Sequence, residues 1–190
     1  MTLAVQRSFL DPDDYLALES QASVKHEYVD GEIYAMSGAS ERHNRIAGNA
    51  FFHFRGATRG GPCGVYISDM KLRIQAQNSF YYPDVMVACD PDDQHPQYKT
   101  APCILVEVLS PSTAGIDRRE KWHAYRALDS LTAYLLVDTD RRRVEFFQRD
   151  DTGAWRQGLL EEDEVVTFRC GSLGVPLSLD DLYEDVRFSG

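Results

Sequence analysis

The sequence predicts an α/β fold, a mixed sheet with helices on its faces, and three observations carry that reading. Short apolar runs recur at about 64–74, 80–88, 103–109 and 132–138, each with the length and β-branched or aromatic content of a strand. Two stretches, Ala39 to Thr58 and Ser112 to Leu128, carry helical periodicity instead. The second lies between the strands at 103–109 and 132–138, and a helical crossover of that kind joins parallel neighbours. The strands before residue 109 follow one another directly and suit antiparallel pairing.

In chain order, Asp11-Pro-Asp-Asp14 has the form of a helix start leading into Tyr15–Ser20, with proline in the first turn. His26 to Ala35 reads as a hairpin, because Asp30-Gly31 is a two-residue turn signal. Ser40 caps the first long helix, which sets Ile46, Ala50 and Phe54 on one side at four-residue spacing. Gly60-Gly-Pro62 ends it. After the strands at 64–74, 80–88 and 103–109 comes the second helix, with Ser110-Pro-Ser112 as its turn and cap. Thr132–Asp138 is a buried strand, and Arg143–Gln148 follows it after a turn. The tail holds a strand near Val165–Arg169 and a short helix capped by Asp180. No repeat or low-complexity linker interrupts the chain. The expectation is a single domain over 1–190 with a core at about 39–148, ordered helix, three strands, helix, strand, and extra strands at both ends.

Composition narrows the function classes. The apolar fraction of 43% and charged fraction of 26% are those of an ordinary globular protein. No apolar run reaches the roughly 18 to 20 residues of a membrane span, and Met1-Thr-Leu-Ala-Val-Gln-Arg7 has no signal-peptide pattern. The cysteines at 63, 89, 103 and 170 lie far apart with no C-x-x-C pair. They read as reduced structural thiols rather than zinc ligands, in a reducing cytoplasm. A net charge of -10 argues against bulk phosphate binding. The charge is segregated, however. Arg42, Arg45, Arg55 and Arg59 gather in one segment, and Arg118, Arg119, Lys121 and Arg126 in another.

Two carboxylates stand out because they sit in apolar strands. Asp84 lies in Phe80-Tyr-Tyr-Pro-Asp-Val-Met-Val-Ala88, and Glu107 in Cys103-Ile-Leu-Val-Glu-Val-Leu-Ser110. Buried charge is costly without a compensating partner, and two such charges on paired strands repel. A divalent cation is the simplest partner. Period-two alternation puts Asp84 on a face with Tyr82 and Met86, and Glu107 with Leu105 and Leu109. Pro83 cannot donate to a ladder, so it belongs at an edge, a strand start or a bulge. On the following helix Asp117, Lys121 and Tyr125 share one stripe, which can carry an ammonium back to the carboxylates. Magnesium suits such oxygen ligands, with manganese as a substitute. It would lower the pKa of a bound water while Lys121 orients the nucleophile.

These residues resemble the PD-(D/E)xK nuclease superfamily. More narrowly, His26-Glu-Tyr-Val-Asp-Gly-Glu32, His43, Pro83-Asp84-Val85, Glu107-Val-Leu-Ser-Pro-Ser112 and Lys121 with Tyr125 are similar to the Uma2 family, over about residues 12 to 184. The resemblance implies a restriction-endonuclease-like core, a divalent metal at Asp84 and Glu107, and phosphodiester hydrolysis. The superfamily lysine would stand two residues after Glu107, where this chain has Leu109. Lys121 takes its place, with Lys71 as the other candidate. The acidic residue that the superfamily often adds before its first core strand has three candidates, Glu27, Glu32 and Glu41, of which Glu32 is preferred. His43 is a further candidate for metal or phosphate, and Tyr125 accompanies Lys121.

The expected function is metal-dependent cleavage of nucleic acid, DNA first, by a cytoplasmic homodimer without membrane association. The alternative is a non-catalytic nucleic-acid- or partner-binding protein that keeps the nuclease fold. Trp122 is expected to pack the helix on the sheet, and Arg141-Arg-Arg143 to form a solvated loop.

Overall fold

The computed structural model describes residues 9–110 and 117–188. Helix α1 (Pro12–Glu19) starts at Asp11, whose carboxylate accepts the N–H groups of Asp13 and Asp14. Strands β1 (His26–Val29) and β2 (Glu32–Ala35) form the expected hairpin. Its turn residues Asp30 and Gly31 both take positive φ, 46° and 91°, as a tight hairpin of this twist requires. Helix α2 (Glu41–Ala57) is capped by Ser40, and Ile46, Ala50 and Phe54 are its fully buried stripe.

The runs at 64–74 and 80–88 each break in the middle, and the breaks decide the architecture. The first run becomes β3 (Gly64–Ile67) and β4 (Lys71–Ile74), parted at Ser68, which adopts φ 51°. The second becomes β5 (Ser79–Tyr81) and β6 (Val85–Ala88), parted at Tyr82-Pro83-Asp84, where proline has no N–H to give a ladder. At each break the chain passes from one sheet to another. Further along come β7 (Tyr98–Lys99) and β8 (Pro102–Leu109). A π-helical turn (Asp117–Lys121) then runs into α3 (Trp122–Tyr125). The remaining elements are β9 (Ala133–Asp138), β10 (Val144–Arg149), β11 (Trp155–Leu160), β12 (Val166–Cys170), β13 (Leu173–Leu177) and α4 (Leu179–Tyr183).

Among the described residues, the larger sheet has the order β11-β10-β9-β8-β6-β3 and the smaller β2-β1-β5-β4-β7. The pair β8–β9 is parallel, as the crossover predicts, while β3–β6 and β6–β8 are antiparallel. Alternation sorts the core into layers. Val85, Val87, Ile104, Val106 and Val108 pack under α2 with β12, β13 and α4. Met86, Leu105 and Leu109 face the other way, against Leu72, Ile74 and Tyr81 of the smaller sheet and Ala124 and Tyr125 of α3. The outer face of the smaller sheet is covered by α1, through a cluster of Tyr15, Tyr28 and Phe80. Trp122 packs on the sheet, stacking on Phe147 with ring centroids 4.0 Å apart.

Three expectations need correction or restriction. Helix α4 is capped by Ser178 in a reciprocal box with Asp181, not by Asp180; Asp180 lies in the first turn and pairs with Arg142 at 2.7 Å. The Ser112 cap lies outside the described residues. The cysteines are not independent thiols, because disulfides join Cys63 to Cys89 and Cys103 to Cys170. Register explains the first pair: Gly64 opposes Ala88, so the residues flanking that pair meet at the sheet end. Thr132 explains the second, since its hydroxyl lies within hydrogen-bond reach of the carbonyls of both Cys103 and Arg169 and holds β12 beside β8.

Candidate active site

The site forms where β6 begins and β8 ends. Val85 opposes Val106 in the antiparallel register, so one step outward Asp84 stands across from Glu107. The Asp84 carboxylate is fixed from two sides. Its Oδ2 accepts the Val108 N–H at 2.7 Å and lies 3.3 Å from His43 Nε2. Val108 points its side chain into the α2 layer, yet its amide serves the opposite strand's carboxylate. His43 reaches the site because the Ser40 cap, which accepts the His43 N–H, sets the first turn of α2 over the start of β6. The contacts to Val108 and to His43 thus both fall on Oδ2.

Glu107 is buried, with 3% of its surface exposed, and so is Lys121, with 6%. Glu107 Oε1 accepts the Tyr125 hydroxyl at 2.7 Å and the Lys121 ammonium at 3.3 Å. Lys121 Nζ also lies 2.9 Å from Glu27 Oε1. That approach is off the hydrogen-bond axis, so the buried Glu27 Oε1 has an ion-pair contact but no hydrogen-bond partner. The helical stripe thus delivers both Lys121 and Tyr125 to one carboxylate oxygen. The π turn ending at Lys121 sits at this point, as such widened turns often do at functional sites. Burial, then the charge of Glu107, pushes the Tyr125 phenol well above its ordinary pKa, so it is a neutral donor at physiological pH. Tyr81 of the smaller sheet flanks these groups, edge-on to Tyr125 at 5.7 Å and 5.8 Å from the Lys121 ammonium.

The structure brings together Asp84, Glu107, Lys121, His43 and Tyr125 of the residues singled out in the sequence. It leaves Glu32 and Lys71 elsewhere, and of the three acidic candidates it is Glu27, not the preferred Glu32, that reaches Lys121. Glu32 shares the hairpin face of Glu27, but β2 is the sheet edge and β1 the inner strand. Glu27 opposes Tyr34, so Glu32 sits one strand out and two residues along, roughly 8 Å away by backbone spacing. There it is exposed and accepts the Tyr34 hydroxyl at 2.8 Å. No hydropathy signal distinguishes the inner strand of a four-residue hairpin from the outer. Lys71 alternates with the inward Leu72 and Ile74, and therefore faces the α1 layer. Its ammonium lies 5.3 Å from the Tyr82 ring, and burial, opposed by nearby Glu19, lowers its pKa. Tyr82 in turn donates to Glu19 at 2.8 Å, which anchors the chain just before Pro83 and Asp84. Glu41 pairs with Arg45 on the exposed side of α2.

The basic residues of the 141–143 loop are committed to acidic partners: Arg141 to Asp138, Arg142 to Glu162 and Asp180, and Arg143 to Glu145. Among the described residues no helix is long and apolar enough to cross a membrane.

The Uma2 family, described as "Putative restriction endonuclease", matches residues 12–177 of this chain. The chain belongs to the Uma2 family. Two uncharacterized proteins of Synechocystis sp. are similar along most of their length. One, slr1290, is 36% identical over 180 residues, covering 94% of each chain. The other, sll1609, is 35% identical over 158 residues, covering 82% of this chain and 89% of its own. Among solved structures, a protein from Anabaena variabilis described as a "putative nuclease belonging to DUF820" superposes with a TM-score of 0.72 at 17% identity. It covers 90% of this chain and 96% of its own. That likeness establishes the shared restriction-endonuclease-like fold.

Proposed function

We propose that this Uma2 protein is a magnesium-dependent nuclease that hydrolyses phosphodiester bonds, with DNA as its first substrate class. The observation that carries the reading is the meeting of Asp84 and Glu107 across adjacent antiparallel strands, with the Lys121 ammonium on Glu107. The donor set fits the ion. Glu27, Asp84 and Glu107 supply hard carboxylate oxygens, and one of them, Glu27 Oε1, is buried without a hydrogen bond. Their formal charge of -3 exceeds the single Lys121 charge by an amount that a divalent ion neutralises. Asp84 and Glu107 would hold the ion, with Glu27 beside them. Manganese would substitute for magnesium. When bound, the ion supplies a water of lowered pKa and offsets charge on the phosphate.

The chain's own groups do the rest. Tyr125 and Lys121 both engage Glu107 Oε1, which fixes the carboxylate's rotamer. Val108 N–H and His43 fix Asp84 in the same way. Lys121 orients the attacking water and stabilises negative charge developing on the phosphate. The low-dielectric walls of Tyr81, Tyr125 and Leu109 strengthen these interactions relative to water. Duplex cleavage by one site per chain calls for two chains, so the proposed working assembly is a homodimer.

One observation favours a second reading, a nucleic-acid- or partner-binding protein without catalysis. Lys121 is already held by two carboxylates, as in a structural ion pair. The test is incubation of single-stranded, duplex and branched DNA, and of RNA, with Mg²⁺ or Mn²⁺, beside Asp84→Ala and Glu107→Ala. Cleavage lost in both variants supports the assigned site. Cleavage surviving in both removes it, and binding without cleavage on every substrate establishes the second reading.

A further inference from the structure

Far from the candidate active site, all four cysteines of the chain meet at one place. They come from four separate elements: the residue before β3, the residue after β6, the start of β8 and the end of β12. Cys89 is five residues beyond Asp84 along β6, and Cys103 four before Glu107 on β8. The cluster therefore lies at the opposite end of the same strands, roughly 13 to 17 Å from the carboxylates at strand rise. The disulfides Cys63–Cys89 and Cys103–Cys170 do not stand apart. Cys89 Sγ is 3.0 Å from Cys170 Sγ and 3.7 Å from Cys103 Sγ. The sulfurs of Cys63, Cys89 and Cys170 lie within 4.8 Å of one another, and Cys103 completes the group through its bond to Cys170.

We propose that in the reduced protein these four side chains form a tetrathiolate site for zinc, and that the paired disulfides are its oxidised, metal-free form. The spacing is what the ion needs: a zinc–sulfur bond of about 2.3 Å in a tetrahedron separates sulfurs by about 3.8 Å. Cys89 already sits at or inside that separation from Cys170 and Cys103, and Cys63 lies within 4.8 Å of Cys170, so loading requires the bonded sulfurs to move apart by side-chain adjustments. The ligand type selects a soft ion, because four sulfurs in a tetrahedral arrangement suit zinc over magnesium or calcium. Cys103 and Cys170 are nearly buried, whereas Cys63 and Cys89 are half-buried and give an entry path.

The chemistry balances with a dithiol as reductant. Each protein disulfide takes two electrons and two protons from one dithiol, which itself becomes a disulfide. The four resulting thiols release four protons as they bind Zn²⁺, and the site carries a net charge of -2. Zinc would then tie β12 to β3, β6 and β8, the role that the two disulfides fill in the oxidised form. This site does not depend on whether the carboxylate cluster cuts nucleic acid.

The experiment is elemental analysis of full-length protein purified under dithiol and without chelator, followed by exchange with Co²⁺. The expected result is about one zinc per chain, and a cobalt spectrum with a sulfur-to-metal charge-transfer band and the intense visible bands of a tetrahedral ion. The double variant Asp84→Ala/Glu107→Ala should keep its zinc, whereas Cys103→Ser should lose it. If Cys103→Ser does not fold, the wild-type cobalt spectrum decides. Four reactive thiols in folded protein that bind no zinc would overturn the proposal. So would disulfides that persist in the native protein under dithiol, iron in place of zinc, or zinc that disappears with the carboxylates.

Discussion

Replacing Lys121 by Met tests whether Lys121, Glu27 and Glu107 form one electrostatic unit. Lys121 Nζ lies 2.9 Å from Glu27 and 3.3 Å from Glu107, and none of the three side chains is more than 16% exposed. At an effective dielectric of about 20 these contacts correspond to about 6 and about 5 kcal/mol of Coulomb attraction, before desolvation is subtracted. Lys121→Met removes the shared cation and leaves two buried carboxylates facing each other. The expected cost is about 3–5 kcal/mol, the range for breaking a buried pair from one side. Glu107→Gln differs, because Lys121 retains Glu27. It loses charge-assisted hydrogen bonds from Lys121 and Tyr125, at about 1.5–3 kcal/mol. Urea denaturation in EDTA should therefore rank Lys121→Met below Glu107→Gln. Adding Mg²⁺ should recover part of the Lys121→Met loss, by about 2.7 kcal/mol at a hundredfold excess over Kd. Equal costs for the two variants, or a Lys121→Met cost under about 1 kcal/mol, would refute the shared-cation argument.

Three further outcomes are expected. Tyr125→Phe keeps the edge-on ring contacts with Tyr81 and Tyr134 but loses the donor to Glu107; denaturation should show a loss of about 1.5–3 kcal/mol, close to that of Glu107→Gln. In a cleavage assay, Lys71→Met should leave the rate within a few-fold, because Lys71 faces α1. Lys121→Met should lower it by about 10² to 10³, and a reversal of that order would transfer the catalytic role to Lys71. Burial raises the phenols of Tyr125, Tyr82 and Tyr15, so the folded state disfavours tyrosinate. Their contribution is fully present below the unfolded pKa of about 10 and is lost as pH rises above it. Ultraviolet titration should show these tyrosines ionising together with unfolding, and smooth ionisation in folded protein would contradict their burial.

Much of this architecture is legible in the chain because it follows from local periodicity. The hairpin at Asp30-Gly31, the Ser40-capped helix and the opposite faces of Val106 and Glu107 all depend on neighbours within a few residues, and the helical segment between β8 and β9 announces their parallel pairing. The same alternation marks Asp84 and Glu107, whose charges contradict their apolar surroundings. Lys121 and Tyr125 are found by helical spacing from one another.

Tertiary structure alone decides what depends on which strand lies beside which. Period-two alternation cannot tell that β1 is the inner strand and β2 the edge, and so cannot choose Glu27 over Glu32. Nor can it tell that Ser68 and Pro83 send each long run into a second sheet, which turns Lys71 away from the site. The cysteines make the point most clearly. Sequence separation of 26 and 67 residues within the two pairs suggests unrelated thiols. Antiparallel register and the docking of β12 on β8 cancel those separations and place four sulfurs together. Local free energies set the elements, while the burial of both sheet faces sets their neighbours, and no residue pattern short of the whole core encodes that choice.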